Sequence, residues 1–182
     1  GLGSTFDFFW QIFQRDSIDN RGMELLASVR YDDGDVNNAF WNGRQMLFGE
    51  GDGINFNRST VSLDIIAHEL GHGVTDRETG LQYLNQSGAL NESLSDVWGS
   101  LVKQLVLQQT ADQADWLIGA GWLKPHLNAK VIRSLQAPGT AFNDPLLGPD
   151  PQPWHMDNFV RLPADNDPRN DNGGVHINSG IP

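Results

Sequence analysis

His68, Glu69 and His72 are the residues of this chain best placed to do chemistry together. They sit in Asp64-Ile65-Ile66-Ala67-His68-Glu69-Leu70-Gly71-His72, and on a helix of about 3.6 residues per turn the two histidines stand one above the other on one face. Two neutral imidazoles so placed can both reach one Zn²⁺, with Glu69 beside them as a base rather than a ligand. This H-E-x-x-H spacing is the arrangement in which a glutamate takes a proton from zinc-activated water. A catalytic zinc also needs a third protein ligand and an open fourth position. Glu92 can supply that ligand, from Asn91-Glu92-Ser93-Leu94-Ser95-Asp96. Asp96, one helical turn on, can accept the ring N–H of a ligating histidine and fix its tautomer, and Asn91 stands with it as a supporting residue. H-E-x-x-H alone also arises by chance on amphipathic helices. The downstream carboxylates are what favour a metal site. A purely structural zinc is disfavoured, because such sites are closed by four Cys or His ligands and the chain has no cysteine.

Several elements must position these groups. Ser59 and Thr60 offer capping oxygens and Asp64 an acidic first turn, so the histidine helix is expected from near residue 60 to before Gly80. Leu90, Leu94, Val97, Trp98, Leu101 and Leu105 predict a long amphipathic helix over 88–109 that carries Glu92 and Asp96. Phe6, Phe9, Trp10 and Phe13 predict a helix over 4–15 with its aromatic face in the core. Leu25–Tyr31 and Gln45–Phe48 read as strands, and Asp112–Ala120 as a further helix. Seven of the nine prolines fall between Pro138 and Pro168, which makes that stretch an irregular segment. Its Phe142, Trp154 and Phe159 indicate that it packs down.

Composition narrows the classes. The 182 residues suffice for one domain, or for parts of two. A net charge of −11 argues against nucleic acid and anionic membranes as partners. Without cysteine there is no disulfide or thiol chemistry, and no apolar run reaches the length of a membrane span.

Taken together, H-E-x-x-H and N-E-x-x-x-D resemble the thermolysin family of zinc metalloendopeptidases. Asn38-Ala39-Phe40-Trp41-Asn42-Gly43 with the turn Gly49-Glu50-Gly51-Asp52-Gly53, and Asp171-Asn172-Gly173-Gly174-Val175-His176-Ile177-Asn178-Ser179-Gly180, extend the resemblance over nearly the whole chain. It implies an α+β fold in two lobes with zinc between them. Residues 1–80 would be the C-terminal part of a β-rich lobe including the zinc helix, and 81–182 the first part of a helical lobe whose later helices lie beyond the chain. The chain thus looks like a fragment of the catalytic domain.

The resemblance also implies roles. Tyr83 and His176, the latter oriented by Asp171, would stabilise the oxyanion. Asn38 and the backbone of Ala39 would hold substrate main chain at a sheet edge, although that stretch alone reads as an ordinary hairpin. Arg133 would back the substrate carbonyl and the specificity pocket. Phe56, Ile65, Ile118, Trp122 and Ile132 would line the pocket for the residue after the cleaved bond, favouring bulky apolar side chains. The implied cofactor is Zn²⁺. Calcium is put in doubt, because Lys103, Leu117, Ala120 and Lys130 stand where the family has ligands. Lys103 would instead supply the positive charge to Asp64 and Asp115. These departures look closest to the protealysin-like subgroup.

The expected function is therefore a zinc-dependent endopeptidase acting on peptides or proteins, with an inhibitory propeptide in the precursor. The alternatives are a zinc aminopeptidase, for which no acidic cluster to hold a free N-terminus is seen, and a catalytically idle fragment or interaction module that retains the zinc site. A secreted bacterial enzyme is expected, with a cytoplasmic location the alternative if the chain follows protealysin-like members, which lack an ordinary signal peptide.

Overall fold

Two long helices form the frame of the computed structural model, which describes residues 1–165 and 167–182. The first helix, α1 (Leu2–Phe13), precedes three short strands, β1 (Ala27–Tyr31), β2 (Ala39–Trp41) and β3 (Met46–Gly49). Then come α2 (Leu63–Glu78) and α3 (Asn85–Leu107), followed by two-residue ladders β4 (Leu117–Ile118) with β5 (Arg133–Ser134), and β6 (Asn143–Asp144) with β7 (Gly148–Pro149). A left-handed Gln14 closes α1, with the Arg15 N–H reaching the Phe9 carbonyl, the usual way a helix end satisfies its orphan carbonyls. Phe8 and Phe9 of α1 are buried against Trp98 of α3. Trp10 and Phe13 are half exposed, which corrects the expectation that the whole aromatic stripe is core. The core proper gathers Phe9, Met46, Phe48, Leu70, Val74 and Val102 between α1, the sheet and the two long helices.

The sheet order is β1-β3-β2. β3 runs parallel to β1 and antiparallel to β2, with Ala39 opposite Phe48 and Trp41 opposite Met46. β3 is central and buried at every position. β2 is thereby left, among the described residues, as an edge with one row of backbone groups unpaired.

α2 starts later than its sequence suggests. Ser59–Val61 form a 3₁₀ turn, and Ser62 occupies the capping position with its hydroxyl bonded to the Asp64 carboxylate (2.5 Å) instead of the helix backbone. Asp64 is committed elsewhere too. It accepts the Gly119 N–H at 3.0 Å and the Lys103 ammonium at 3.1 Å. Lys103 Nζ also reaches Asp115 at 2.8 Å and the Leu117 carbonyl at 2.5 Å, so its three donors are all used. These bonds replace the expected helix over 112–120: Asp115 accepts the Leu117 N–H, and Leu117–Ile118 extend alongside Arg133–Ser134.

α2 and α3 approach unusually closely. A methyl group at Gly71 would lie 2.9 Å from the Trp98 ring, and one at Gly99 would lie 2.5 Å from the Asp64 carbonyl. Glycine there gives up helix propensity. In exchange, the His68–His72 face sits directly against the Glu92–Asp96 face.

Candidate metal centre

Three ligand-type atoms meet between α2 and α3. His68 Nε2 and His72 Nε2 are 3.0 Å apart, and Glu92 places its two oxygens 3.2 Å from one and 3.2 Å from the other. The second face of each imidazole is held. His68 Nδ1 lies 2.7 Å from Asp96 and His72 Nδ1 2.7 Å from Asn91, with the Ser95 hydroxyl 3.1 Å away. An ionised Asp96 can only accept, so His68 donates from Nδ1 and presents a lone pair at Nε2. With His72 donating likewise to the Asn91 carbonyl oxygen, two lone pairs face one another beside a carboxylate. Only a cation or a proton stabilises that arrangement.

The donor set fits Zn²⁺ in three respects. Two imidazoles and a carboxylate are the ligands of one type of catalytic zinc site. Atoms tetrahedrally disposed about 2.0–2.1 Å from a common centre lie roughly 3.3 Å from each other, close to the spacings seen. Finally, charge is unbalanced: Glu69, Glu92 and Asp96 are buried, while Arg133 is, among the described residues, the single guanidinium set beside them. The resulting surplus matches a divalent ion. Oε2 of Glu69 and Oε2 of Glu92 are buried without a hydrogen-bond partner, unusual in a folded interior unless something else is meant to meet them.

The electrostatics follow from these neighbours. His68 has its pKa pushed up to about 10: burial opposes the charged ring, and the Glu92 and Asp96 carboxylates outweigh it. Asp96 is held down to about 2, its burial overcome by Arg133 and His68. Arg133 donates from Nε at 2.5 Å and from Nη2 at 2.7 Å to the two oxygens of Asp96, the planar fork that suits a carboxylate. The structure places Arg133 behind Asp96 and so behind His68, and it also borders the apolar space beside the cleft, where sequence reasoning gave it a place. Glu69 is shifted the other way, upward, mainly because it is buried.

A cleft of about 400 Å³ opens over this centre. Glu69, His68, His72 and Glu92 form its floor, and Asn38 and Ala39 of the β2 edge one wall. Tyr83 and His176 face them from the other side. The Tyr83 hydroxyl donates to Glu92 and stands 3.2 Å from His176 Nε2. His176 Nδ1 is bonded to Asp171 at 2.5 Å, and the same carboxylate takes the His176 N–H. Asp171 and Asn172 adopt left-handed backbone before Gly173, a tight turn that aims the histidine back at the cleft. The pKa of His176 is raised: desolvation opposes, and Glu92 and Asp171 prevail. Ala39 N–H is bonded to the Asn38 side chain at 2.9 Å.

The apolar set sorts into two groups. Ile65, Ile118 and Trp122 pack into a closed cluster, with Phe56 and Ile132 half-buried on its surface. The open apolar space beside the cleft is bounded by Phe56 and Ile132, but also by Leu123, Phe142 and Leu147, which sequence reasoning missed. The available signal was the run of apolar residues inside the proline-rich stretch; its destination was not readable. No helix among the described residues is long and apolar enough to cross a membrane.

Comparison with known proteins agrees with this geometry. Residues 1–76 match the family described as thermolysin metallopeptidase, catalytic domain, and residues 79–182 match thermolysin metallopeptidase, alpha-helical domain. An extracellular metalloprotease of Pectobacterium carotovorum subsp. carotovorum is 59% identical over 181 residues, covering 100% of this chain and 50% of that protein. Protease PrtS of Photorhabdus sp. (strain Az29) is 50% identical over 181 residues, covering 100% and 47%. The solved precursor of protealysin, a metalloproteinase from Serratia proteamaculans, superposes with a TM-score of 0.89 at 58% identity, covering 99% of this chain and 54% of that one. The chain thus spans about half the length of the relatives it matches.

Proposed function

We propose that this chain, which belongs to the thermolysin metallopeptidase family, carries the active centre of a zinc-dependent endopeptidase that cleaves internal peptide bonds. The observation that carries the reading is the meeting of His68, His72 and Glu92 with the unpartnered Glu69 carboxylate beneath one open cleft.

His68, His72 and Glu92 would hold Zn²⁺, which when bound supplies a Lewis acid and a water of lowered pKa. Glu69 is the base: burial raises its proton affinity, so it takes a proton from the attacking water and later delivers it to the leaving nitrogen. Tyr83 and His176 donate to the developing oxyanion. The protonated form of each is favoured: burial, then the Glu92 carboxylate, raises the pKa of Tyr83, and Glu92 and Asp171 raise that of His176 against desolvation. Asp171 aims His176, while Asn91, Asp96 and Arg133 hold the two imidazoles in the productive tautomer. The peptide lies along β2 as an added strand, which gives affinity through main-chain hydrogen bonds with little demand on sequence. The Asn38 side chain must then turn aside to release the Ala39 N–H. Bulky apolar residues after the scissile bond would enter the space over Phe56 and Ile132.

Lys103 takes the place of a bound cation in the Asp64–Asp115 cluster, so calcium is not required there. By likeness to the extracellular metalloprotease of Pectobacterium carotovorum and the precursor of protealysin, the precursor carries a propeptide and the mature protein is secreted.

The test uses the full-length protein, loaded with zinc, and a blocked peptide with an internal leucine. Cleavage abolished by a chelator, restored by zinc and lost in Glu69→Ala is the expected outcome. Absence of cleavage by folded, zinc-loaded protein would overturn it and favour an idle metal-binding module.

A further inference from the structure

The cleft runs past the metal ligands towards the C-terminal end of α2. Ile65, His68, His72 and Asp76 follow one another at helical intervals of three and four, so they lie along one face of α2. Ile65 belongs to the apolar cluster on one side of the two histidines, and Asp76 stands one turn beyond them on the other. Asp76 lines the cleft together with Trp41 of the β2 edge, and its Oδ2 accepts the Trp41 indole N–H at 3.0 Å.

The charge of Asp76 has no evident structural use. Among the described residues, no cation is paired with it, whereas Glu78, further along the helix, is held by Arg15 at 2.5 Å. An uncharged amide oxygen would accept the indole N–H as well. Asp76 also sits in the last turn of α2, where the negative end of the helix dipole disfavours an anion. Of the carboxylates lining the cleft among the described residues, Glu69 and Glu92 are buried at the metal centre and Asp76 alone is exposed. A negative charge that serves neither the indole nor the helix is thus left facing the path of the peptide.

The direction of that path follows from the apolar cluster. If the residue after the scissile bond enters over Phe56 and Ile132, beside Ile65, the residues before the bond continue past the metal towards Asp76. Resting on the endopeptidase reading above, we infer that Asp76 is a specificity-determining residue that selects arginine or lysine on the acyl side of the scissile bond. The stem of such a side chain lies along the Trp41 indole and its charged end meets the carboxylate. The chain's net charge of −11 draws cationic peptides in the same sense.

The test uses the full-length, zinc-loaded protein and blocked peptides that carry either arginine or citrulline, its uncharged isostere, at each of the two positions before the scissile bond. Arginine should be favoured in kcat/KM about two- to fivefold at one of them, the scale of an exposed ion pair. The preference should shrink when ionic strength is raised about tenfold. Asp76→Asn, which can still accept the Trp41 N–H, should abolish it, and Asp76→Lys should invert it towards citrulline. Glu78→Gln, outside the cleft, should leave the ratio as it is. Equal cleavage of the paired peptides by the wild type at both positions, or a preference that survives in both Asp76 variants, overturns the inference. So does an Asp76→Asn effect seen only with peptides whose N-terminus is free, which would give the carboxylate to an α-amine instead. A second arm measures binding of the same blocked peptides to zinc-loaded Glu69→Ala by fluorescence anisotropy. If the wild-type protein cuts nothing yet arginine still binds better, and adding Asp76→Asn removes that difference, the endopeptidase reading fails and the assignment of Asp76 stands. If binding shows no difference either, both fail.

Discussion

Two buried charge clusters lie along the same pair of helices and are completed in opposite ways. Near the start of α2, Asp64 is surrounded by Ser62, the Gly119 N–H and the Lys103 ammonium, and every lysine donor finds an oxygen. One and two turns along α2, Glu69, His68 and His72 face Glu92 with two carboxylate oxygens left unpartnered and two imidazole nitrogens pointing at each other. The first cluster carries its own cation, whereas the second is arranged to accept one from outside. A fold can bury acid safely in either manner, but only the incomplete cluster leaves valence for chemistry.

The largest effect that would sharpen this contrast is on the base. Glu69→Gln keeps the shape and removes the proton acceptor, so kcat should fall about 10²–10⁴-fold while zinc content, read by atomic absorption, stays near one per chain. Loss of zinc together with activity would mean that Glu69 belongs to the binding set instead.

At the other cluster, Lys103→Ala leaves Asp64 buried beside solvent-facing Asp115. Removing one partner of a buried pair costs about 3–5 kcal/mol, and the lower end is expected because Ser62 and Gly119 still donate to Asp64. Denaturant unfolding measures this. Added calcium should stabilise Lys103→Glu but not the wild type; a calcium-dependent midpoint in the wild type would break the comparison, since the cluster would then also depend on an external ion.

A smaller effect is expected behind the ligands. Asp96→Asn weakens the hold on His68 and frees Arg133, so zinc affinity should drop about 10–100-fold, read by competition with a chromogenic chelator. An unchanged affinity would show that Arg133 and Asp96 serve packing alone.

The smallest concerns the loop that carries Phe56. The Asp52 carboxylate accepts N–H groups from Ile54, Asn55 and Phe56, and these bonds, the one from Phe56 foremost, hold its pKa down to about 2 against an ordinary 3.8. A depressed acid stabilises the fold above its unfolded pKa and loses that contribution as pH falls towards the folded value. The stability gap between wild type and Asp52→Asn should therefore be full above pH 4 and shrink between pH 4 and pH 2. A gap that does not change over that range would exclude the carboxylate as its origin.

What could be read in advance divides along the same line between local and distant structure. The facing of His68 and His72, and of Glu92 and Asp96, follows from helical spacing alone, so a linear reading reaches it. The pairing of Asn91 with His72 and of Arg133 with Asp96 needs two segments brought together, and only the resemblance to a known family directed attention to those residues. Asp112–Ala120 read as helical because it joins acidic residues to Trp116 and an apolar run. The bonds of Lys103 and Asp115 to Leu117, which pull the stretch into a strand, come from α3 and from a side chain already counted as helical. The β6–β7 wall lay furthest from sight: proline density correctly announced irregular backbone, but nothing nearby says that Phe142 and Leu147 will meet Phe56.

The close approach permitted by Gly71 and Gly99 has a consequence in time as well as space. Every proposed metal ligand and the proposed base lie between His68 and Glu92, on two helices adjacent in the chain. As the polypeptide is synthesised, the proposed ligands of that pair are all available while Tyr83 has Glu92 beside it but not yet His176, because Asp171 and His176 emerge only after the long proline-rich segment. The order of the residues along the chain thus places the proposed metal ligands early in synthesis and the proposed oxyanion donor His176 late, so on that reading the metal site is complete before the catalytic one.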